Sequence, residues 1–211
     1  MSQLAPHLEY TLLRPGCTAT EVTELCRAAV AAHYFGVCVP SCYVQHARAE
    51  LGPASTRLVT VAGFPFGYAN LPSKRYEIEQ ALRDGTDEID LVANHSFLRS
   101  GNVKAYRGEI HLLARLTQAS GRKIKVIIEY GLLTADELRL ACEVCAEERV
   151  DFVKTSSGMA GSPVSVAQIQ QLRTLLPPSL GIKASGGVRT REQAAELLAA
   201  GAHRIGTSAL L

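Results

Sequence analysis

The sequence lacks the features of a nucleic-acid-binding or membrane protein. Its 211 residues carry a formal net charge of only +2 and contain neither a basic tract nor an acidic tail. No apolar run approaches the roughly 18 residues that a membrane-spanning helix needs, and Met1 to Leu8 has no charged region followed by an apolar core. We therefore expect no nucleic-acid partner, no contact with membranes and a cytoplasmic location.

Cysteine is too sparse for a disulfide framework. Six cysteines in a chain of this length favour a reducing compartment. Cys142 and Cys145 form a C-x-x-C motif, but it lies inside a helical pattern and has no second pair at zinc spacing. Ordinary packing is therefore the favoured interpretation of these cysteines, and we expect no metal.

Short apolar runs of four or five residues recur along the chain and are typical of parallel strands buried on both faces. Eight candidates occur, at Leu8 to Leu13, Phe35 to Val39, Leu58 to Ala62, Ile89 to Ala93, Ile124 to Ile128, Val150 to Val153, Leu180 to Ile182 and Arg204 to Gly206. Helical patterns separate them, and four of these begin with a capping box, at Thr18 to Glu21, Thr134 to Glu137, Ser165 to Gln168 and Thr190 to Gln193. Further helices fit residues 41–51, 72–83 and 102–119.

This regular alternation predicts a single α/β domain over residues 1–211, a (β/α)8 TIM barrel. The alternative is an open doubly wound sheet, which a G-x-G-x-x-G motif after the first strand would favour, and that motif is absent. Because Leu211 follows the eighth strand almost directly, we expect the barrel to lack most of its final outer helix.

Two of the predicted strands end in lysine followed by small residues and glycine. Lys154 lies in the segment Asp151 to Gly158, and Lys183 lies in the segment Gly181 to Arg189. The side chain of such a lysine either extends to solvent or has a chemical role, because burying an ammonium ion is costly. On adjacent parallel strands, both amines would project from the same edge, and their like charges would make one of them titrate low. A neutral amine forms a Schiff base with a carbonyl compound.

An acid on another strand supplies a partner for these lysines. Asp90, flanked by apolar residues in Glu88 to Val92, either closes an interior ion pair or moves protons at the site together with Lys183. We favour the catalytic interpretation, since perturbed pairs cluster at active sites. Lys125 and Glu129 share a parity on the fifth strand, and an interior salt bridge or a supporting position is the favoured interpretation for them.

Glycines follow the last two strands where many barrels bind phosphate through backbone N–H groups. Gly186 and Gly187 follow the seventh strand, and Gly206, Thr207 and Ser208 follow the eighth. Tight turns alone also explain glycine at these positions. Two such segments on adjacent strands, both beside the lysine edge, favour phosphate binding.

Together these motifs resemble the deoxyribose-phosphate aldolase family, in the family's order and almost from end to end. The similarity extends over Thr11 to Leu13, Val61 to Gly67, Asp87 to Asp90, Lys125 to Glu129, Asp151 to Gly158, Lys183 to Arg189 and Gly206 to Ser208. It implies a class I aldolase that needs no metal or other cofactor. Such an enzyme cleaves 2-deoxy-D-ribose 5-phosphate reversibly to acetaldehyde and D-glyceraldehyde 3-phosphate, so the partners are a phosphorylated sugar and an aldehyde.

The resemblance also implies a role for individual residues. Lys154 would form the Schiff base, Asp90 would donate and accept protons, and Lys183 would lower the pKa of Lys154. The phosphate end would be lined by Gly158, Gly186, Gly187, Gly206 and Ser208, and the part of the pocket nearer the sugar by Thr11 and Cys38. Members of the family often form homodimers or larger homo-oligomers, and we expect an exposed apolar stripe near Leu197, Leu198 and Leu210 to favour association.

The chain departs from the family pattern at Glu9-Tyr10, where an aspartate and a histidine are usual, and after Ser208, where a final helix is usual. We expect both departures to affect recognition of the substrate, with Glu9 in a supporting position. Affinity for the phosphorylated aldehyde should be weaker than is usual in the family, while the amine chemistry stays intact. Two alternatives remain: another Schiff-base barrel enzyme, and an aldolase-derived protein that binds a sugar phosphate with altered or lost activity.

Overall fold

Eight parallel strands form a closed barrel in which each strand pairs with its neighbours in sequence and the last pairs with the first. The structure is a computed structural model that describes residues 4–160 and 163–211, so the other five residues of the predicted domain lie outside the description. The strands are β1 Leu8–Thr11, β2 Gly36–Val39, β3 Arg57–Ala62, β4 Glu88–Val92, β5 Lys123–Ile127, β6 Phe152–Lys154, β7 Gly181–Ser185 and β8 Arg204–Thr207. The prediction of a (β/α)8 barrel rather than an open sheet is confirmed.

Helices lie between successive strands, and the described part of the chain contains eight α-helices. They are α1 Ala19–Ala31, α2 Val44–Leu51, α3 Leu71–Arg83, α4 His95–Arg99, α5 Val103–Ala119, α6 Ala135–Glu147, α7 Val166–Leu175 and α8 Arg191–Ala199. The sequence did not predict α4, because its five residues are too few to show a helical period. The residues after β8, Ser208 to Leu211, contain no helix. No helix within the two described ranges combines the length and hydropathy required to cross a bilayer.

The four predicted capping boxes set the starts of α1, α6, α7 and α8. In each, the first side chain accepts the backbone N–H of the residue three positions on, whose own side chain accepts a backbone N–H in return. This satisfies donors that a helix start otherwise leaves unpaired. Because each helix follows a strand, these starts lie at the carboxyl edge of the barrel, where the candidate site lies.

The strand register turns charged side chains into the barrel interior. Asp90 on β4 is in register with Lys125 on β5, and Lys154 on β6 is in register with Lys183 on β7. Alternate residues of a strand point to opposite faces of the sheet. Their apolar neighbours, such as Leu91 and Val153, therefore pack against the helices in the main core.

A buried ion pair supports the end of β4, the strand that carries Asp90. The Lys74 amine on α3 donates to the Glu109 carboxylate on α5 at 2.8 Å and to the Val92 carbonyl at 2.8 Å. The same carboxylate accepts the Asn94 N–H at 3.0 Å. Burial lowers the pKa of Lys74 and raises the pKa of Glu109, so each charge depends on the other.

We expect Lys74→Met to lower the free energy of unfolding by about 3–5 kcal/mol, because it leaves the Glu109 carboxylate buried without its cation. The double variant Lys74→Met/Glu109→Leu buries no charge and should be at least as stable as the single variant. Urea denaturation measures both. Lys104→Met, at an exposed lysine of α5, serves as the control and should stay within about 0.5 kcal/mol of wild type. Equal losses in Lys74→Met and Lys104→Met would contradict a structural role for the pair.

Candidate active site

The Asp90 carboxylate lies at the centre of the barrel and contacts three lysine amines. Its Oδ1 accepts from Lys125 Nζ at 2.8 Å. Its Oδ2 accepts from both Lys154 Nζ at 2.8 Å and Lys183 Nζ at 2.7 Å. All four side chains are buried, with at most 1% of any of them exposed. The structure thus forms the predicted pair of Asp90 and Lys183, and it places Lys154 on the same oxygen atom.

Two further carboxylates complete this lysine cluster, which we define as Glu9, Glu88, Asp90, Lys125, Lys154 and Lys183. Glu9 forms a short ion pair with Lys183, and its Oε2 lies 3.6 Å from Lys125 Nζ. Glu88 Oε2 lies 2.6 Å from Lys125 Nζ. Lys125, predicted to form an interior salt bridge or to support the site, therefore lies within the cluster. The sequence reasoning missed Glu88, although its place two residues before Asp90 indicated the same face of β4.

Glu9, where the chain departs from the family pattern on β1, lies among the amines, with its carboxylate near Lys125 and Lys183. The expected effect of this departure on substrate recognition stays a prediction. The Glu9 side chain extends from β1 past β8 to Lys183 on β7. The departure from aspartate therefore alters the surroundings of Lys183.

Mutual attraction sets the charges of Asp90, Lys125 and Lys183. Burial disfavours an ionised Asp90, but the three lysines outweigh that effect and hold its pKa well below the usual range. Burial also disfavours a charged Lys183, yet the attraction of Asp90 and Glu9 raises its pKa. In the same way, Asp90, Glu9 and Glu88 outweigh burial and raise the pKa of Lys125. At neutral pH, Asp90 is therefore a carboxylate, and Lys125 and Lys183 are ammonium ions.

Cys38 contributes an apolar wall inside the barrel. Its thiol is fully buried and packs with Val59 and Val61 in a small cluster separate from the main core. Burial first, and then the negative charge of Asp90, raise the pKa of Cys38 to about 11. A thiol with such a pKa stays protonated at neutral pH and is a poor nucleophile.

A cavity of about 200 Å³ opens at the carboxyl ends of β6, β7, β8 and β1. Six residues predicted to bind the substrate line it, namely Thr11, Gly158, Gly186, Gly187, Gly206 and Ser208. Cys38, also predicted to line the pocket, is fully buried and is not among the residues that line this cavity. Thr207, from the predicted segment Gly206 to Ser208, lines it too, and the polar lining residues Arg14, Ser157 and Ser185 were not among the predicted site residues.

Glycine brings the wall of this cavity close to the lysine cluster. A Cβ atom on Gly206 would lie 3.2 Å from Lys183 Cε and 3.0 Å from Ser185 Oγ. A Cβ atom on Gly186 would lie 2.6 Å from Ser156 Oγ, and the backbone there has a φ of 110°. Only glycine fits both the space and the backbone conformation at Gly186.

The turns around the cavity carry free hydrogen-bond donors. Within residues 4–160 and 163–211, no acceptor is assigned to the backbone N–H groups of Gly158, Gly186, Gly187 and Ser208. Backbone donors that converge on one concavity form an anion site. The geometry can therefore hold a phosphate group a short distance from the amines.

Glu129 holds the segment that follows Lys154. It lies beyond the end of β5 with a left-handed φ of 47°, and its Oε2 accepts the Ser157 N–H at 3.0 Å. Burial raises the pKa of Glu129. Glu129 therefore contacts the turn between Lys154 and Gly158 and is not a member of the lysine cluster. No group of three or more His, Cys, Asp or Glu side chains in the described ranges has the arrangement of a metal site.

We expect Asp90→Asn to lower the free energy of unfolding at pH 7 by about 3–5 kcal/mol, because three buried amines lose their shared carboxylate. The depressed pKa of Asp90 means that its stabilisation is complete above the ordinary aspartate pKa of about 3.9 and is lost as the pH falls. Urea denaturation should therefore show a difference from wild type that shrinks below about pH 4.

The matched control for this prediction is Asp136→Asn, at a carboxylate of α6 whose side chain is 87% exposed. Its effect should stay within about 0.5 kcal/mol at pH 7. A difference between wild type and Asp90→Asn that does not change between pH 7 and pH 3 would contradict the assigned charge of Asp90.

Individual known proteins are similar to this chain over nearly its whole length. No family model matches the sequence. The deoxyribose-phosphate aldolase 1 of Bacillus licheniformis is 39% identical over 209 residues, which cover 98% of this chain and 92% of that protein. The deoxyribose-phosphate aldolase of Thermococcus gammatolerans is 37% identical over 207 residues, which cover 97% and 92%.

Solved structures agree with these relatives. A tetrameric deoxyribose phosphate aldolase from Aeropyrum pernix superposes with a TM-score of 0.88 at 32% identity and covers 97% of this chain and 86% of its own. A protein described as QR15, an aldolase, superposes with a TM-score of 0.93 at 30% identity and covers 99% and 92%. Similarity of this degree over nearly the full length shows that the chain belongs to the deoxyribose-phosphate aldolase family.

Proposed function

We propose that this protein is a class I aldolase that cleaves 2-deoxy-D-ribose 5-phosphate reversibly to acetaldehyde and D-glyceraldehyde 3-phosphate. One observation carries the proposal: Lys154 Nζ and Lys183 Nζ both contact Oδ2 of Asp90, at 2.8 Å and 2.7 Å. The arrangement places a candidate nucleophile, a carboxylate and a fixed cation within one hydrogen-bonded group. The phosphate cavity adjoins that group at Gly206.

The charge balance of the cluster favours Lys154 as the nucleophile. Arg204 Nε lies 3.9 Å from Glu9 Oε1. Arg204, Lys125 and Lys183 are therefore three cations that match the carboxylates of the cluster, Glu9, Glu88 and Asp90. Lys154 is the fourth cationic side chain, one more than the number of carboxylates. An amine attacks a carbonyl carbon in its neutral form.

In the proposed reaction, Lys154 Nζ attacks C1 of the open-chain sugar and forms a carbinolamine, which loses water to give a protonated Schiff base. Removal of the proton from the C3 hydroxyl breaks the C2–C3 bond, and the electron pair moves into an enamine. D-glyceraldehyde 3-phosphate leaves, C2 takes up a proton, and water releases acetaldehyde from Lys154. We assign the proton transfers to Asp90 together with Lys183. The Asp90 carboxylate accepts a hydrogen bond from the Lys154 amine, and Lys183 donates to the same carboxylate oxygen.

The substrate's phosphate would occupy the cavity lined by Gly158, Gly186, Gly187 and Ser208. Their backbone donors supply the hydrogen bonds, and Thr11 extends the wall toward the sugar. Cys38 would bound the space beside Asp90 with a neutral, compact side chain. In this arrangement Lys125, Glu9 and Glu88 position the reacting groups, and Glu129 holds the turn after Lys154.

We expect borohydride reduction in the presence of acetaldehyde to add one ethyl group to the protein, at Lys154, as detected by intact mass and peptide mapping. Lys154→Ala should abolish the adduct, and Lys183→Leu should weaken it, because the neighbouring cation and the proton partner are lost. Lys123→Ala, at the exposed amino end of β5, is the control and should keep the adduct. No adduct at any lysine would remove the aldolase proposal and leave a protein that binds a sugar phosphate without cleaving it.

We also propose that the protein acts in the cytoplasm as a homo-oligomer, without nucleic-acid or membrane partners. The relative from Aeropyrum pernix is described as tetrameric. Of the three leucines expected to form an exposed stripe, Leu210 is 60% exposed, Leu198 is half-buried and Leu197 is buried. Leu210 therefore offers a smaller apolar surface than the sequence predicted. We expect light scattering to give at least a dimer mass, and a clean monomer would contradict this part of the proposal.

A further inference from the structure

Arg14 is the one cationic side chain on the described wall of the 200 Å³ cavity. The other lining residues are glycines, small hydroxylated residues and apolar residues. A phosphate monoester carries close to two negative charges at neutral pH. Neutral backbone donors hold such an anion, but they do not match its charge. Among these lining residues, only Arg14 supplies a positive charge and the forked donors that fit phosphate oxygens.

The present partner of Arg14 holds it weakly. The Arg14 guanidinium forms a short ion pair with Glu21 in the first turn of α1. Both side chains are largely open to solvent, 54% for Arg14 and 35% for Glu21, and exposed pairs of this kind contribute little. Glu21 also accepts the Thr18 N–H at 2.9 Å as part of the capping box. Glu21 therefore keeps its place in the helix start whether or not Arg14 is bound to it.

The space around Arg14 allows it to turn. A second, open groove of about 530 Å³ runs along α1 and is lined by Arg14, Glu21 and Glu24 among others. It shares Thr11, Leu13, Arg14 and Ser208 with the phosphate cavity. Both volumes are lined by Arg14, so a rotation of its side chain would carry the guanidinium from one toward the other.

We propose that Arg14 leaves Glu21 when substrate binds, pairs with the phosphate group and thereby selects phosphorylated over unphosphorylated sugars. The inference rests on the proposed function, since it assigns a binding residue for that reaction. Glu21 is the resting partner of Arg14 and competes with the phosphate for it. Arg14 takes no part in the chemistry at Lys154, which is not among the residues that line the cavity with Arg14.

Arg14→Gln tests the proposal in the full-length protein with 2-deoxy-D-ribose 5-phosphate and 2-deoxy-D-ribose as the two substrates. We expect kcat/KM for the phosphorylated sugar to fall about 10- to 100-fold, the factor that corresponds to one charge-assisted hydrogen bond. The value for 2-deoxy-D-ribose should not change. The ratio of the two values is the readout, because a general structural defect would lower both. Arg14→Lys keeps the charge and should restore part of the ratio.

Glu21→Gln provides a test in the opposite direction. Glutamine at this position preserves the capping box but removes the charge that competes for Arg14. We expect the KM for 2-deoxy-D-ribose 5-phosphate to fall about two- to threefold. Arg27→Gln is the matched control. Arg27, on α1, is likewise an exposed arginine paired with a glutamate, Glu50 at 3.5 Å, but it is not among the residues that line the cavity. Arg27→Gln should leave unchanged both the ratio of the two kcat/KM values and the KM for 2-deoxy-D-ribose 5-phosphate.

The outcomes separate this inference from the proposed function. If wild type cleaves the phosphorylated sugar and Arg14→Gln keeps the wild-type ratio, the role of Arg14 is overturned and the aldolase proposal stands. A rise in KM in Glu21→Gln as large as that in Arg14→Gln would also overturn it. If wild type cleaves neither sugar, calorimetric titration with inorganic phosphate decides the role of Arg14: at least tenfold weaker binding in Arg14→Gln supports it, and equal binding overturns it.

Discussion

The structure depends on one carboxylate, that of Asp90, buried among three lysine amines. Burying any of these charges alone would be strongly unfavourable, and only their mutual contacts offset the loss of hydration. Those contacts hold β4, β5, β6 and β7 in one register, because each strand contributes one member. Glu9 extends the same network to β1. The interior of the barrel thus carries an ionic framework, while the outward faces of the strands pack against the helices as an ordinary apolar core.

This division places chemistry and recognition on different kinds of structure. The amines and carboxylates stand on strands, where backbone hydrogen bonds on both sides fix their positions to within the small tolerance that proton transfer requires. The groups suited to an anion stand on turns at the carboxyl edge of the barrel, as in other barrels of this architecture. Gly206 belongs to both regions, since it lines the cavity and lies against Lys183. Its lack of a side chain keeps the two regions close together.

The glutamate at position 9 lies close to two of the buried lysines. The extra methylene group brings the carboxylate into direct contact with Lys183 and within 3.6 Å of Lys125. Glu9 therefore contributes to the raised pKa of both lysines. Glu9 therefore acts on the charge environment at the centre of the barrel, and it is not among the residues that line the 200 Å³ cavity.

The amino-acid sequence by itself determined the eight strands, most helices and the start of four of them, because apolar periodicity and capping boxes are local signals. It also indicated Lys154, Lys183 and Asp90, since charged residues in buried strands stand out against their neighbours. The sequence did not indicate that Glu9 contacts Lys183, 174 positions away, that Glu88 pairs with Lys125, or that Arg14 lines the cavity. Those contacts depend on the register between strands and on closure of the barrel, which places β1 beside β8 and two strands from β7. Only the tertiary structure decided them, because the partner of a buried charge is set by distance in space and not by spacing along the chain.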